Sequence, residues 1–267
     1  MIARVRLLAI STTMLAIGVA ACANRVSSPA VATAPEAMPT GAMGDLVRDG
    51  RDLIVHTQQR MKGYVVANLS CQDCHINAGT RERAGSLVGV YAQFPQWNER
   101  AHRIISLQDR LAECFLYSMN GRPPAYQSRE MEAMVAYIAW LSSGTRVGAT
   151  PDPNQGTVRY TPPSAPDPVR GAHIYTAQCS SCHGARGAGI AGAYPPLWGP
   201  HSFNDRAGMS HLWRMAGFVR YNMPANAPGT LTDQQAYDVA AYVEAQKRPH
   251  FNRNRTVTFR LDKAGYF

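Results

Sequence analysis

The chain has 267 residues and a formal net charge of +9, enough length for two domains of ordinary size. All but three of its 27 basic residues are arginine, the lysines being Lys62, Lys247 and Lys263. These arginines are scattered, with no basic run and no base-stacking module, which argues against nucleic acid and for small oxyanions or an acidic redox partner, the ligands a planar guanidinium suits.

Residues 1–21 set Arg4 and Arg6 before an apolar run from Leu7 to Ala20. That is a secretory signal, too short and too weakly flanked for a stable membrane span. Two exits are readable. Val19-Ala20-Ala21-Cys22 is a lipoprotein box that would make Cys22 the acylated first residue, whereas Ala21-Cys22-Ala23 is an ordinary cleavage site. Acylation is favoured because it gives Cys22 a purpose. The expected location is therefore the periplasm, with a lipid anchor through Cys22. Residues 22–43, rich in Ala, Pro, Ser and Thr, read as a flexible tether.

A first domain is expected over 44–145. Leu46, Val47, Leu53, Ile54 and Met61 recur at roughly helical spacing ahead of Cys71-Gln72-Asp73-Cys74-His75. C-x-x-C-H is the attachment signature of a c-type haem: two thiols one turn apart take up the porphyrin vinyls, and the adjacent histidine reaches the iron. Ser106 and Asp109 form a capping box for a second helix, Ser106 to about Met119, which Asn120-Gly121 and Pro123-Pro124 end. A third helix is expected from Ser128 to Ser142, with Met131, Met134, Val135, Ile138 and Leu141 on one face and Gly144 as its stop.

The proline-rich stretch 146–167 reads as a linker, and a second domain as 168–250. Asp167-Pro168 supplies a cap and an N1 proline to a helix leading into Cys179-Ser180-Ser181-Cys182-His183. Asn204 or Asp205 is expected to open a helix carrying Leu212, Met215 and Phe218. Thr232 and Gln235 box the start of a final helix through Lys247, and 251–267 is a tail. A lone C-x-x-C could be a zinc half-site or a redox dithiol. Two copies, each followed directly by histidine in an exported chain, imply two covalently bound haem c groups on His75 and His183. The halves form an internal repeat, Ala136-Tyr137-Ile138 answering Ala241-Tyr242-Val243. The pattern resembles two tandem class I cytochrome c domains, all-α folds in which the closing helix packs across the first.

The sixth iron ligands decide whether such a chain shuttles electrons or transforms a substrate. For the second haem, Met223 in Tyr221-Asn222-Met223-Pro224 matches the methionine loop of class I cytochromes c, with His201 and His211 weaker candidates. For the first, the repeat points to Met119. Cys114 is the alternative, and Arg110, Cys114 and Ser118 at i, i+4 and i+8 form one helical stripe. A buried thiol is an ordinary core residue. A guanidinium, a thiol and a hydroxyl in line are poor packing material, however, and reasonable material for an anion site.

The run Arg110-Leu111-Ala112-Glu113-Cys114-Phe115-Leu116-Tyr117-Ser118-Met119-Asn120-Gly121, with Asn68-Leu69-Ser70 before the first haem motif, resembles the dihaem thiosulfate dehydrogenases. Phe203-Asn204-Asp205 and Ala236-Tyr237-Asp238-Val239 extend the resemblance, which covers roughly residues 44–250. It implies oxidative coupling of two thiosulfates to tetrathionate, or the reverse. Electrons would pass from the first haem to the second and on to a soluble c-type cytochrome or similar carrier. It also implies a thiolate ligand at Cys114 and a substrate pocket lined by Arg110, Arg100 and Ser118, with Arg103 a rival for Arg100. Some relatives carry lysine just before the second methionine; here that residue is Asn222, which implies plain His183/Met223 ligation. The non-catalytic alternative is an electron shuttle with Met119 on the first iron. Another is a sulfur-oxidising cytochrome that acts on a carrier protein.

Overall fold

The computed structural model describes residues 34–252. The signal, Cys22, most of the tether and the tail beyond residue 252 lie outside the described residues. No described helix is long and apolar enough to cross a membrane.

The first haem domain is built from α1 (Gly41–Val55), α2 (Thr57–Arg60), α3 (Ile76–Gly79), β1 (Gln96–Asn98), β2 (Arg103–Ile105), α4 (Leu107–Tyr117) and α5 (Arg129–Trp140). The second contains α6 (Pro168–Gln178), α7 (Ser180–His183), α8 (Leu212–Asn222) and α9 (Asp233–Glu244). In both halves the closing helix crosses the opening one at a glycine. A Cβ on Gly50 of α1 would lie 1.9 Å from the Ala133 carbonyl oxygen and 2.9 Å from Tyr137 Cβ. A Cβ on Gly171 of α6 would lie 2.0 Å from the Asp238 carbonyl oxygen and 2.9 Å from Tyr242 Cβ. Tyr137 and Tyr242 are the paired residues of the sequence repeat, so the repeat is a repeat of one helix crossing. Glycine lets the two backbones approach closely enough for it.

Helix boundaries follow the local chemistry. Ser106 caps α4, its Oγ accepting from Asp109 N at 3.1 Å while Asp109 Oδ2 accepts from Ser106 N at 2.9 Å. Thr232 and Gln235 do the same for α9, and Asp167 caps α6 by accepting from Val169 N at 2.7 Å. These satisfy amide groups that have no partner inside a helix.

The structure departs from the expectations in several places, among them the start of α1 at Gly41, inside the stretch read as tether, and the end of α5 at Trp140 rather than Ser142. The fold is not wholly helical: β1 and β2 make a two-stranded antiparallel ribbon, pairing Trp97 with Ile104. Neither Asn204 nor Asp205 opens a helix; α8 starts at Leu212 behind His211. Asn204 is instead fully buried and hydrogen-bonded to the other domain, which removes it from capping duty. The helices expected to reach Met119 and Lys247 end at Tyr117 and Glu244.

Residues 146–167 carry no regular structure, yet they are tied down along both halves. Asn154 and Gln155 carbonyls accept from Arg83 N and Ser86 N at 2.6 Å each, and the Tyr160 carbonyl accepts from Tyr237 Oη at 2.6 Å.

Candidate active site

The first C-x-x-C-H stretch is held by hydrogen bonds to its surroundings. Thr57 Oγ1 accepts from Cys71 N at 3.0 Å, and Ser70 and Asp73 form a capping box around the turn. His75 Nδ1 donates to the Gly85 carbonyl, and His183 Nδ1 donates to the Pro195 carbonyl at 2.9 Å. A histidine whose Nδ1 is committed to a carbonyl presents Nε2 to a metal. Burial lowers both imidazoles below the ordinary histidine value, which favours the neutral, ligating form. Cys71, Cys74, Cys179 and Cys182 are all free of disulfides. The donor set therefore fits two covalently attached haem c groups.

Met223 follows α8 directly, its N donating to the Val219 carbonyl at 3.0 Å. Asn222 before it is buried and fully engaged. Its Nδ2 donates to the Phe218 and Arg83 carbonyls, each at 3.0 Å, and its Oδ1 accepts from Arg81 Nε at 3.0 Å. His201 is exposed, and His211 lines the cleft described next.

That cleft, of about 350 Å³, opens along α4. Arg110, Cys114 and Ser118 all line it, as their i, i+4, i+8 spacing requires, while Leu107, Leu111, Ala112, Phe115 and Leu116 turn into the core. Cys114 is close enough to Cys71 and Cys74 to interact electrostatically with both. Burial pushes the Cys114 thiol up, and the guanidiniums of Arg110 and Arg100 pull it back. Met119 is outside the cleft, buried in the core, with its carbonyl accepting from Val66 N and Ala67 N.

Arg100 also lines the cleft, its guanidinium stacked 4.2 Å from the centroid of the Tyr117 ring. Arg103 does not: it donates to both oxygens of Asp109 at 3.2 Å and so belongs to the start of α4.

Further lining residues include Glu113, Tyr117, His211 and Arg214, of which sequence reasoning singled out only His211, and that as a candidate iron ligand. Glu113 accepts from Arg110 Nη1 at 2.8 Å and from Asn98 Nδ2 of β1 at 3.1 Å. An Arg–Glu pair at i, i+3 could have been found from the helical period. Tyr117, His211 and Arg214 gave no such signal, the last two coming from the second domain. The cleft thus gathers three arginines around a thiol beside a haem motif, an arrangement suited to holding small polyanions next to a sulfur nucleophile or ligand.

Comparison with known proteins gives consistent matches. Residues 61–147 match the SoxA/TsdA cytochrome c domain family, and residues 166–243 match the cytochrome c oxidase, cbb3-type, subunit III family. The thiosulfate dehydrogenase of Allochromatium vinosum is 39% identical over 249 residues, covering 89% of this chain and 92% of its own. That of Stutzerimonas stutzeri is 37% identical, covering 79% of this chain and 70% of its own. Among solved structures, thiosulfate dehydrogenase (TsdBA) from Marichromatium purpuratum superposes with a TM-score of 0.79 at 34% identity. The match covers 85% of this chain and 53% of that one, so this chain spans about half the length of that protein.

Proposed function

The chain belongs to the thiosulfate dehydrogenase family, and from that premise we propose that it couples two thiosulfates into tetrathionate in the cleft along α4. The carrying observation is the convergence of Arg110, Arg100, Ser118 and Cys114 on one cavity beside the first haem motif. The overall change is the joining of two thiosulfate sulfane sulfurs by one new sulfur–sulfur bond, with two electrons released and no proton exchanged. When bound, the two haem c groups supply the one-electron acceptors for this reaction and the route to an external carrier.

The chain's own residues handle the charge. Two dianions repel one another strongly where water is thinned out. Arg110 and Arg100 offset that repulsion by charge-assisted hydrogen bonds to sulfonate oxygens, and Ser118 donates a further one. Glu113 holds Arg110 by accepting from its Nη1, and the Tyr117 ring holds Arg100 by stacking. Cys114 would supply a thiolate ligand to the iron of the first haem, and His183 and Met223 would hold that of the second, where Asn222 leaves no amine to compete. The cellular reading is a periplasmic protein anchored through Cys22 and discharging electrons to a soluble c-type cytochrome or similar carrier.

Replacing Cys114 with glycine in the holoprotein tests this. The expected result is loss of thiosulfate-dependent ferricyanide reduction, with both haems still attached and the Met223-ligated spectrum unchanged. Full turnover in Cys114→Gly would contradict it.

A further inference from the structure

The cleft around Cys114 is not closed by the first domain alone. Gly208, His211 and Arg214 of the second domain form part of its lining, and Arg214 is the third residue of α8. Its guanidinium lies over the neighbouring Trp213 ring, 4.8 Å from the centroid. Gly208 makes the room for it, since a Cβ there would come within 2.6 Å of Arg214 Nη1. Arg214 is therefore packed into position by a ring and by the absence of a side chain.

Its charge environment is what needs explaining. Arg214 and Arg100 have no carboxylate partner among the described residues. Of the two carboxylates in the lining, Glu113 is engaged by Arg110 and Asn98, and the exposed Glu99 accepts from Trp97 Nε1 at 2.9 Å. Burial, and then the facing charges of Arg110 and Arg100, lower Arg214 below the ordinary guanidinium value. Converging like charges without a counter-charge destabilise a fold unless an anion settles between them. Two thiosulfates bring four negative charges. Arg110 and Arg100 balance two of these, and Glu113 adds to the deficit.

We propose that Arg214, held by Trp213 and Gly208, is a substrate-binding residue that completes a second oxyanion subsite, opposite the one built on Arg110 and Ser118. This rests on the reading that two thiosulfates meet in the cleft. Each sulfonate is then gripped from a different domain, the sulfane sulfurs point toward one another, and Arg100 lies within reach of both. His211 lines the same wall, its imidazole lowered below the ordinary histidine value by desolvation and then by the charges of Arg214, Arg100 and Arg206.

The test uses purified holoprotein with both haems and the variants Arg214→Gln, Arg214→Lys and Gly208→Ala. Arg214→Gln should raise the KM for thiosulfate at least tenfold while the visible spectra of both haems stay as in the parent. Arg214→Lys should recover part of that loss. Gly208→Ala, which keeps the arginine but displaces it, should shift KM in the same direction by a smaller factor. A second readout needs no turnover: calorimetric titration of the oxidised holoprotein with tetrathionate, which spans both subsites, should show affinity at least tenfold weaker in Arg214→Gln. If the parent oxidises thiosulfate and Arg214→Gln matches it within twofold in both KM and tetrathionate affinity, the second subsite is refuted and the proposed function stands. A parent that neither oxidises thiosulfate nor binds tetrathionate overturns the function, and this inference with it.

Discussion

Glu113 lies three residues after Arg110 and accepts from both Arg110 and Asn98, so the cleft's central guanidinium is anchored before any ligand arrives. Ordering paid in advance costs nothing on binding. Arg110→Ala should therefore weaken thiosulfate binding by the value of a charge-assisted hydrogen bond, roughly 1.5–3 kcal/mol. That corresponds to a KM about ten- to a hundredfold higher by steady-state kinetics; an unchanged KM would remove Arg110 from the site. A second titratable residue acts on stability rather than chemistry. Burial pushes the Glu244 carboxyl up to about 7, with Arg248 only partly opposing it at 3.5 Å, and Oε1 has no hydrogen-bond partner. A carboxyl raised on folding favours the folded state most below its unfolded value of 4.5, and that contribution is lost as pH rises through about 7. Glu244→Gln should flatten the fall in stability between pH 5 and pH 8, by up to about 3 kcal/mol in urea titrations. An unaltered pH slope would show that Glu244 is not its source. At this scale the sequence was a good guide to α4, because helical period alone places Arg110, Cys114 and Ser118 on one stripe. Arg214 was illegible, since nothing local links residue 214 to residue 114.

The C-terminus of α4, the helix that carries Cys114, is finished by the other domain. Asn204 Nδ2 donates to the Leu116 carbonyl at 2.9 Å, and Asn204 N donates to the Tyr117 carbonyl at 3.2 Å. Its Oδ1 accepts from Arg206 N at 3.0 Å, so every polar atom of the buried side chain is used. Last-turn carbonyls have no partner within a helix, and this loop supplies one. Asn204→Ala should destabilise the holoprotein by about 1–3 kcal/mol, read by thermal or denaturant unfolding; a loss below the error of that measurement would show the contact to be dispensable. The same residue explains a misreading. As a sequence letter before an apolar run, Asn204 looks like an N-cap; its cross-domain use is invisible without the partner backbone. The β1–β2 ribbon escaped for a related reason. Its three-residue strands leave Trp97 and Ile104 exposed and give no alternation to detect. The capping boxes at Ser106 and Thr232 were legible because all their partners lie within one helical turn.

Across the whole molecule, the two haem domains are joined by more than the chain between them. Asn222 connects the loop of Met223 to Arg81 and Arg83, which lie in the same loop as the Gly85 carbonyl that holds His75. Asn68 N donates to the His201 carbonyl at 2.8 Å, and Phe251 packs edge-on against Tyr117. Buried polar ties of this kind couple the stabilities of the parts they join. The holoprotein should therefore unfold in one calorimetric transition; two well-separated transitions would show independent domains. The domain count and the repeat were readable from two haem motifs and two closing helices. The interface was not, because it is made by loops whose meeting depends on how the finished domains dock.

The most direct check of the central claim is the stoichiometry of the reaction. Purified holoprotein given thiosulfate and excess ferricyanide should consume one ferricyanide per thiosulfate and form one tetrathionate for every two thiosulfates, with no sulfite or sulfate. Absence of turnover, or oxidation to any product other than tetrathionate, would contradict the account.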